Sequence, residues 1–596
     1  MVSKKTIFLF CLLFAGSFIA SAQTAKSRVD QLNTTITYLA SEELAGRKAG
    51  TDGDSLAAVF IRGKLAQSGA ELLGNNGFQY FGIIAGVKSG EGNRLGSGGT
   101  EFEPGTDFQP FSFSSNSSLN APVVFAGFGL SGTSGDLSWD DYAEVDVKDK
   151  WVLVFRGDPE PENANSAFIP MATDRAKALT ARDRGAAGLL LVSPASIEKS
   201  DNPIDITFDK SVSDAGIPVV SITRKVASVI LGMNTTAIDS IEKVMIDGKK
   251  SAIVPLKSTV NATTDVIREK VTTRNIMAML PGSDPILKNE FIVIGAHYDH
   301  LGMGGPGSGS RVPDEHAVHG GADDNASGVA AVLSLAEYFS AKENRPARSL
   351  LLVSFGAEEM GLLGSRYFVG HSPVDLKSIK AMVNLDMVGR MKLDLPTLTI
   401  SGTGTFTIAD SLLDVLSANR PFEVKRSPDG FGPSDHAAFY GENIPVLFIT
   451  TGAHEDYHTP ADMASHINYD GTMKVIDFTA DLVSKLGNLK SAPVFRESGS
   501  RKEGGNYGRG LKVTLGIMPD VSGAETSGGM KVEGTRKDGP AQKAGMLKGD
   551  IITAINGLNV GNIYDYMSRM GKLKPGERVN VEVLRDGTKE ILIIQL

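Results

Sequence analysis

The sequence predicts an α/β protein, a mixed and mostly parallel central sheet flanked by helices, with a small α/β unit inserted into it and a β-rich domain at the C-terminus. Three observations predict this. Residues 265–490 alternate strand-type runs with helical segments, and the runs are continuously apolar, the pattern of strands covered on both faces. Residues 116–264 and 506–596 have another texture, short strands at close spacing with one or two helices each. All nine histidines lie between His297 and His466, so imidazole chemistry is confined to the central segment.

The chain has 596 residues, 41% hydrophobic and 22% charged, which is globular composition and too long for one core. Lys4 and Lys5 precede the apolar run Thr6–Ile19, and Ala20-Ser21-Ala22 fits a small-residue cleavage site, so residues 1–22 read as an export leader. The run is shorter than the ~20 residues a membrane span needs. Cleavage near Ala22 implies a periplasmic or secreted protein with no membrane span in the mature chain. Removing Lys4 and Lys5 takes the net charge from −9 to −11, which argues against a nucleic-acid partner. The only cysteine, Cys11, leaves with the leader, so neither disulfides nor thiolate metal ligands are expected.

Residues 23–115 should form the first part of the main domain. Arg28–Ala70 reads as two helical pieces joined by ELAGRKAGTDGD, and residues 82–105, rich in Gly and Ser, read as loop or hairpin. The insert, 116–264, carries the runs APVVFAGFG, KWVLVFRGD, AGLLLVSP and IPVVSIT and one clear helix, Ala172–Gly185. Within 265–490 the order is FIVIGAH, a helix over Val329–Phe339, SLLLVSFGAEE, a helix over Leu362–Val369, IKAMVNLDMVG, TLTISG, a helix over Thr407–Ala418, IPVLFITTG and a helix over Gly471–Leu489. A polar linker, 491–505, leads to the domain 506–596.

Carboxylates and imidazoles sit just beyond the strands of the central segment. His297 and Asp299 follow FIVIGA, Glu358 and Glu359 follow LLLVSFGA, Asp386 ends MVNLD, and His458 follows VLFITTG. Asp323 and Asp324 stand in the loop entering a helix. Function in an open α/β sheet gathers outside the carboxyl ends of its strands. Carboxylates with imidazoles and no thiols suit zinc or a similar divalent ion, and five ligands with one shared carboxylate suffice for two ions. HEDYH (His454–His458) matches a helical zinc signature. Gly452 before it and Pro460 after it make a helix there untenable, so only His458 is retained.

The words GAHYDH, GADDNASG, FGAEEMGLLGS, NLDMVG, GPSDHAAF and YHTPAD, in that order, resemble the secreted di-zinc aminopeptidases, the family of aminopeptidase Y and bacterial leucyl aminopeptidases. Glutamate carboxypeptidase and glutaminyl cyclase are relatives, and YLASEELAGRKAGTDGDSLAAVFI resembles the family's opening helices. The resemblance implies a zinc-exopeptidase sheet, two divalent ions, zinc by preference, and peptide substrates with free N-termini. It implies that Asp323 bridges the ions, that His297 and Asp386 complete one site, and that Glu359 and His458 complete the other. Glu358 would be the general base, Asp299 the orienter of His297, and Asp324 the support of Asp323 through a cis Asp–Asp peptide. Ser434, Asp435, His436 and Tyr457 would line the substrate cleft. Residues 116–264 resemble a protease-associated domain and 506–596 a PDZ domain, whose loop Leu515-Gly516-Ile517 would hold a peptide C-terminus. A peptidase-like binding protein, and a carboxypeptidase or cyclase on the same site, are the alternatives.

Overall fold

A computed structural model of the chain describes residues 26–134, 137–163, 166–208, 213–248, 257–498, 513–519, 528–535, 539–561 and 563–596. The expected leader and residues 499–505 of the expected linker lie outside them. The chain divides into two units, Met1–Ile83 with Val271–Gly505, and Ile84–Lys270 with Asn506–Leu596.

The first unit is built on a nine-stranded mixed sheet. Its elements are α1 (26–39), α2 (Asp52–Gln67), β1 (Val266–Leu280), β2 (Phe291–His297), α3 (Gly328–Ser340), β3 (Ser349–Phe355), α4 (Leu363–Gly370), β4 (Ile379–Leu385), β5 (Thr397–Ser401), α5 (Ala409–Ser417), β6 (Glu423–Ser427), α6 (His436–Gly441), β7 (Val446–Thr450) and α7 (Tyr469–Gly487). β2 is central. It pairs parallel with β3 on one side and β4 on the other, and β7 lies parallel beyond β4. β1 pairs antiparallel with β3 and also pairs with the two remaining strands, Glu71–Leu72 and Phe78–Ser89, and β5 pairs antiparallel with β7.

The continuous apolar runs are explained by two cores. Along β2, Ile292, Ile294 and Ala296 pack with α1, α2, α3, α5 and α7, while Val293 faces the opposite side with Phe368 of α4 and Phe439 and Tyr440 of α6. Along β3, Leu350 and Leu352 face the first core, and Leu351, Val353 and Phe355 the second. Side chains alternate between faces with period two, and both faces are covered, so the runs are mostly apolar, with Ser354 of β3 and Asn384 of β4 as buried polar exceptions. The carboxyl ends of β2, β3, β4 and β7 therefore lie side by side at one edge, where backbone beyond the sheet is free to turn.

In the second unit, an eight-stranded sheet holds Ser117–Phe125, Trp151–Phe155, Gly188–Val192 and Val219–Ile222 in parallel. Strands Arg94–Ser97, Thr100–Glu101 and Phe108–Pro110 join this sheet as well, the first two as a hairpin of the kind expected over 82–105, although 23–115 was expected in the main domain. They run only two to four residues, too short for a sequence period to register. They are tied to the insert by pairing of Arg94–Ser97 with Thr259–Thr264, and Asn93 secures the end of that pair, its side chain donating to Asp265 O and accepting from Asp265 N. The C-terminal region is a six-stranded sheet with helices Pro540–Lys543 and Ile563–Gly571. Within this unit two helices are joined by charge. Arg182 of Asp174–Asp183 pairs with Asp565 at 2.7 Å, and Arg569 pairs through both its terminal nitrogens with Asp183. Asp565 and Arg569 are almost fully buried.

Candidate metal centre

His297, the last residue of β2, is buried, and its Nε2 lies 3.2 Å from Asp324 Oδ1 and 3.5 Å from Asp386 Oδ1. Asp386 follows β4 and is held from behind. Ser434 Oγ donates to its Oδ2 at 2.7 Å, and Asn384 Nδ2 donates to Ser434 Oγ at 2.7 Å. A second group forms on the other oxygen of Asp324. His458 Nε2 lies 3.1 Å from Asp324 Oδ2 and 3.3 Å from Glu359 Oε1, and its Nδ1 meets the Gly309 carbonyl at 3.0 Å. His300 joins this group, with Nδ1 2.9 Å from Glu359 Oε1 and 3.8 Å from Asp324 Oδ2. Glu358 stands beside the first group, its Oε2 4.0 Å from His297 Nε2.

The shared carboxylate is thus Asp324, and the expectation for Asp323 is corrected. Asp323 turns away: its Oδ1 accepts from Gly389 N at 2.6 Å and from Ser327 Oγ at 3.0 Å, and its Oδ2 faces His454 Nε2 at 3.3 Å. The cause is the turn preceding α3. Asp462 places its carboxylate under the N–H groups of both Asp323 and Asp324, at 3.0 Å each, which fixes the backbone and sends the two side chains to different sides. The cis peptide falls at Asp324–Asn325, one residue later than expected. Asn325 anchors the next turn, donating to Leu385 O and accepting from Gly328 N.

Asp299 also acts differently from expectation. His297 Nδ1 meets the main-chain carbonyl of Asp299 at 3.2 Å, with the Asp299 carboxylate at 3.9 Å. That carboxylate accepts instead from Glu358 N at 2.9 Å and Glu359 N at 3.3 Å, so it positions the turn after β3. Of the expected cleft residues, Ser434, Asp435 and His436 are fully buried and form no open wall. They sit at the start of α6, which packs on the core, and the His436 ring stacks on Phe448 at 4.6 Å. Burial pushes the His436 imidazole down to about 3 and the Asp435 carboxyl up to about 7. Tyr457 is half-buried, its ring stacked on His458 at 3.8 Å. HEDYH forms turns, with no helix over 454–458. In the C-terminal domain Leu515 is buried, Ile517 is half-buried, and the Gly516 N–H donates to Thr514 Oγ1.

Charge in the centre is complementary. Burial works against the His297 imidazolium, but Glu358, Asp386 and Asp324 outweigh it and raise the ring well above its ordinary range. His458 is treated alike, burial lowering it and Asp324 and Glu359 raising it to about 10. Burial alone would raise Asp324, yet His297 and His458 hold it well below the usual carboxylate range. The residues fit a cation. His297, Asp324 and Asp386, and separately His300, Asp324 and Glu359, bring one donor atom each within 4.8 Å of one another. Asp386 Oδ1, His300 Nε2 and His458 Nε2 are buried with no hydrogen-bond partner. Buried donor atoms left without a hydrogen-bond partner among the described residues are what a bound ion would engage. The donor set, nitrogen and carboxylate oxygen without sulfur, suits zinc.

A sheet edge bearing such a cluster defines a metal-dependent hydrolase class of site. Residues 275–483 match peptidase family M28, residues 119–230 the PA domain and residues 513–596 the PDZ domain. The chain therefore carries an M28 peptidase domain, a PA domain and a PDZ domain. Among similar proteins, leupeptin-inactivating enzyme 1 of Streptomyces exfoliatus is 27% identical over 334 residues, 50% of this chain and 66% of that one. Aminopeptidase YwaD of Bacillus subtilis is 25% identical over 385 residues, 63% and 69%. The chain thus spans about two thirds of the length of these relatives. Among solved structures, an aminopeptidase from Aneurinibacillus sp. strain AM-1 has a TM-score of 0.47 at 23% identity, covering 79% of this chain and 95% of that one.

His300, Asp462 and Arg47 were not singled out in the sequence. His300 and Asp462 stand within the motif words, His300 ending GAHYDH and Asp462 ending YHTPAD, which is the signal that marks them.

Proposed function

We infer that the protein is an exported aminopeptidase that removes N-terminal residues from peptides with two zinc-type ions. The reading rests on one observation, Asp324 with one oxygen toward His297 and the other toward His458. His297 and Asp386 would complete one site, and His458 and Glu359 the other, with Asp324 common to both. When bound, the ions would supply Lewis acidity and lower the pKa of a water held at the site. The match to peptidase family M28 and the aminopeptidases among the relatives support the reading. The leader pattern of residues 1–22 supports export. Among the described residues no helix is long and apolar enough to cross a membrane.

The chain's own residues divide the remaining work. Glu358 serves as general base, taking a proton on its carboxylate from the attacking water and passing it to the nitrogen of the leaving amine. Burial raises its carboxyl above the ordinary range, with Glu359, Asp435 and Asp386 adding to the effect and His297 opposing it. Asp299 keeps Glu358 in place through the main chain. The PDZ domain offers a second place for a peptide, at its C-terminus.

Glu358→Gln should keep zinc and lose about a thousandfold in kcat, the scale of a lost general base. Wild-type-like turnover in that variant would overturn the mechanism. Cleavage of N-acetylated peptides as fast as free ones would overturn the aminopeptidase specificity.

A further inference from the structure

Arg47 lies in the connection between α1 and α2, far in sequence from every candidate ligand, and is 1% exposed. Its guanidinium makes no ion pair among the described residues. It donates only to main-chain carbonyls: Nε to Tyr298 O at 2.8 Å, one terminal nitrogen to Gly320 O at 2.6 Å and to Leu39 O, and the other to Gly321 O at 3.1 Å. Tyr298 stands between His297 and Asp299. Gly320 and Gly321 open the loop that carries Asp324. The same segment grips by its backbone too, His300 N donating to Arg47 O at 3.2 Å and Gly302 N to Gly46 O at 3.0 Å. Gly46 has φ +71°, and an added Cβ would meet Gly302 O at 2.3 Å, so the approach requires glycine.

A buried guanidinium is costly unless its donors are satisfied and its charge is opposed. Here carbonyls satisfy the donors. The charge is opposed across space by the carboxylates of Asp324, Asp299, Asp462 and Glu359, which work against the lowering by burial. We propose that Arg47 is a positioning residue for the metal centre, one planar fork that clamps the segment of His297 to the loop of Asp324. Irregular backbone at a buried site needs donors for its carbonyls. One planar fork reaching three segments supplies them in a fixed geometry, which an ammonium cannot reproduce. The inference rests on the two-ion reading above.

The test is zinc affinity, by chelator competition, together with melting of the metal-free and zinc-loaded full-length protein, for wild type, Arg47→Lys and Arg47→Met. Loss of a residue that orients ligands lowers metal affinity by about 10–100-fold. Arg47→Lys, which keeps the charge and loses the fork, should fall at least about tenfold, and Arg47→Met further. The gap between metal-free and loaded melting temperatures should narrow in both. If Arg47→Met does not fold, Arg47→Lys decides. A folded Arg47→Lys with zinc affinity within about twofold of wild type, or variants whose two melting temperatures fall equally, would overturn the proposal. Wild-type protein that takes up no zinc would sink the two-ion reading and this inference with it, an outcome distinct from variants that bind like wild type.

Discussion

Asp462→Ala strikes the one side chain that decides which aspartate is shared. Asp462 is fully buried, and its two oxygens receive the N–H groups of Asp323 and Asp324. Alanine leaves both donors buried without an acceptor, at about 1–3 kcal/mol each. Relief of the buried carboxylate offsets part of this, so we expect a loss of about 2–4 kcal/mol in the stability of the metal-free peptidase unit. The ligand loop then relaxes, and zinc affinity should fall about 10–100-fold, or about 1.4–2.8 kcal/mol. Urea unfolding of metal-free protein reads the first number and zinc competition the second. Asp462→Asn, which keeps one acceptor oxygen, should lie between. Stability within about 0.5 kcal/mol of wild type, the range of an ordinary surface change, with unchanged zinc affinity, would refute the reasoning.

Asp324→Asn should abolish stable zinc uptake, measured as metal content after dialysis, whereas Asp323→Asn should retain it, because only Asp324 faces both histidines. In the PA domain, Lys177 is fully buried, its Nζ donating to Phe155 O at 2.7 Å and Gly157 O at 2.5 Å. Burial lowers it from 10.5 to about 7, against the opposing pull of Asp174 and Asp141. Between those values the unfolded chain binds the extra proton, so stability should rise with pH from 7 toward 10.5, by at most about 1.4 kcal/mol per pH unit. Denaturation at several pH values should show this slope in wild type and its disappearance in Lys177→Met.

The parallel core of the fold was legible because β2, β3, β4 and β7 are covered on both faces and so read as mostly apolar runs. The same fact placed His297, Glu359, Asp386 and His458 at one edge, where the structure brings them together. What spacing could not resolve was the adjacent pair Asp323 and Asp324. Neighbours in a turn point to opposite sides, and the residue that settles which way, Asp462, lies 138 residues further along the chain than Asp324. Arg47 left no chemical signature because it binds only carbonyls, and any sequence offers those. Ser434, Asp435 and His436 misled in the opposite way. The resemblance implied a cleft wall, yet here they start a buried helix, and Ser434 holds Asp386 from behind. The strands between Arg94 and Pro110 were hidden by their brevity.

The charged contact between Asp174–Asp183 and Ile563–Gly571 carries a polarity of its own. Each helix offers one acid and one base, Arg182 and Asp183 against Asp565 and Arg569. Turn either helix end for end, and arginine meets arginine while aspartate meets aspartate. An apolar seam of the same size would tolerate either arrangement. This one is keyed, and like charges forced together in a buried seam reject the reversed docking. Reversing a single charge would disfavour the contact, and reversing its opposite number as well would restore it, so the two helices spell a short code that only the matching pair can read.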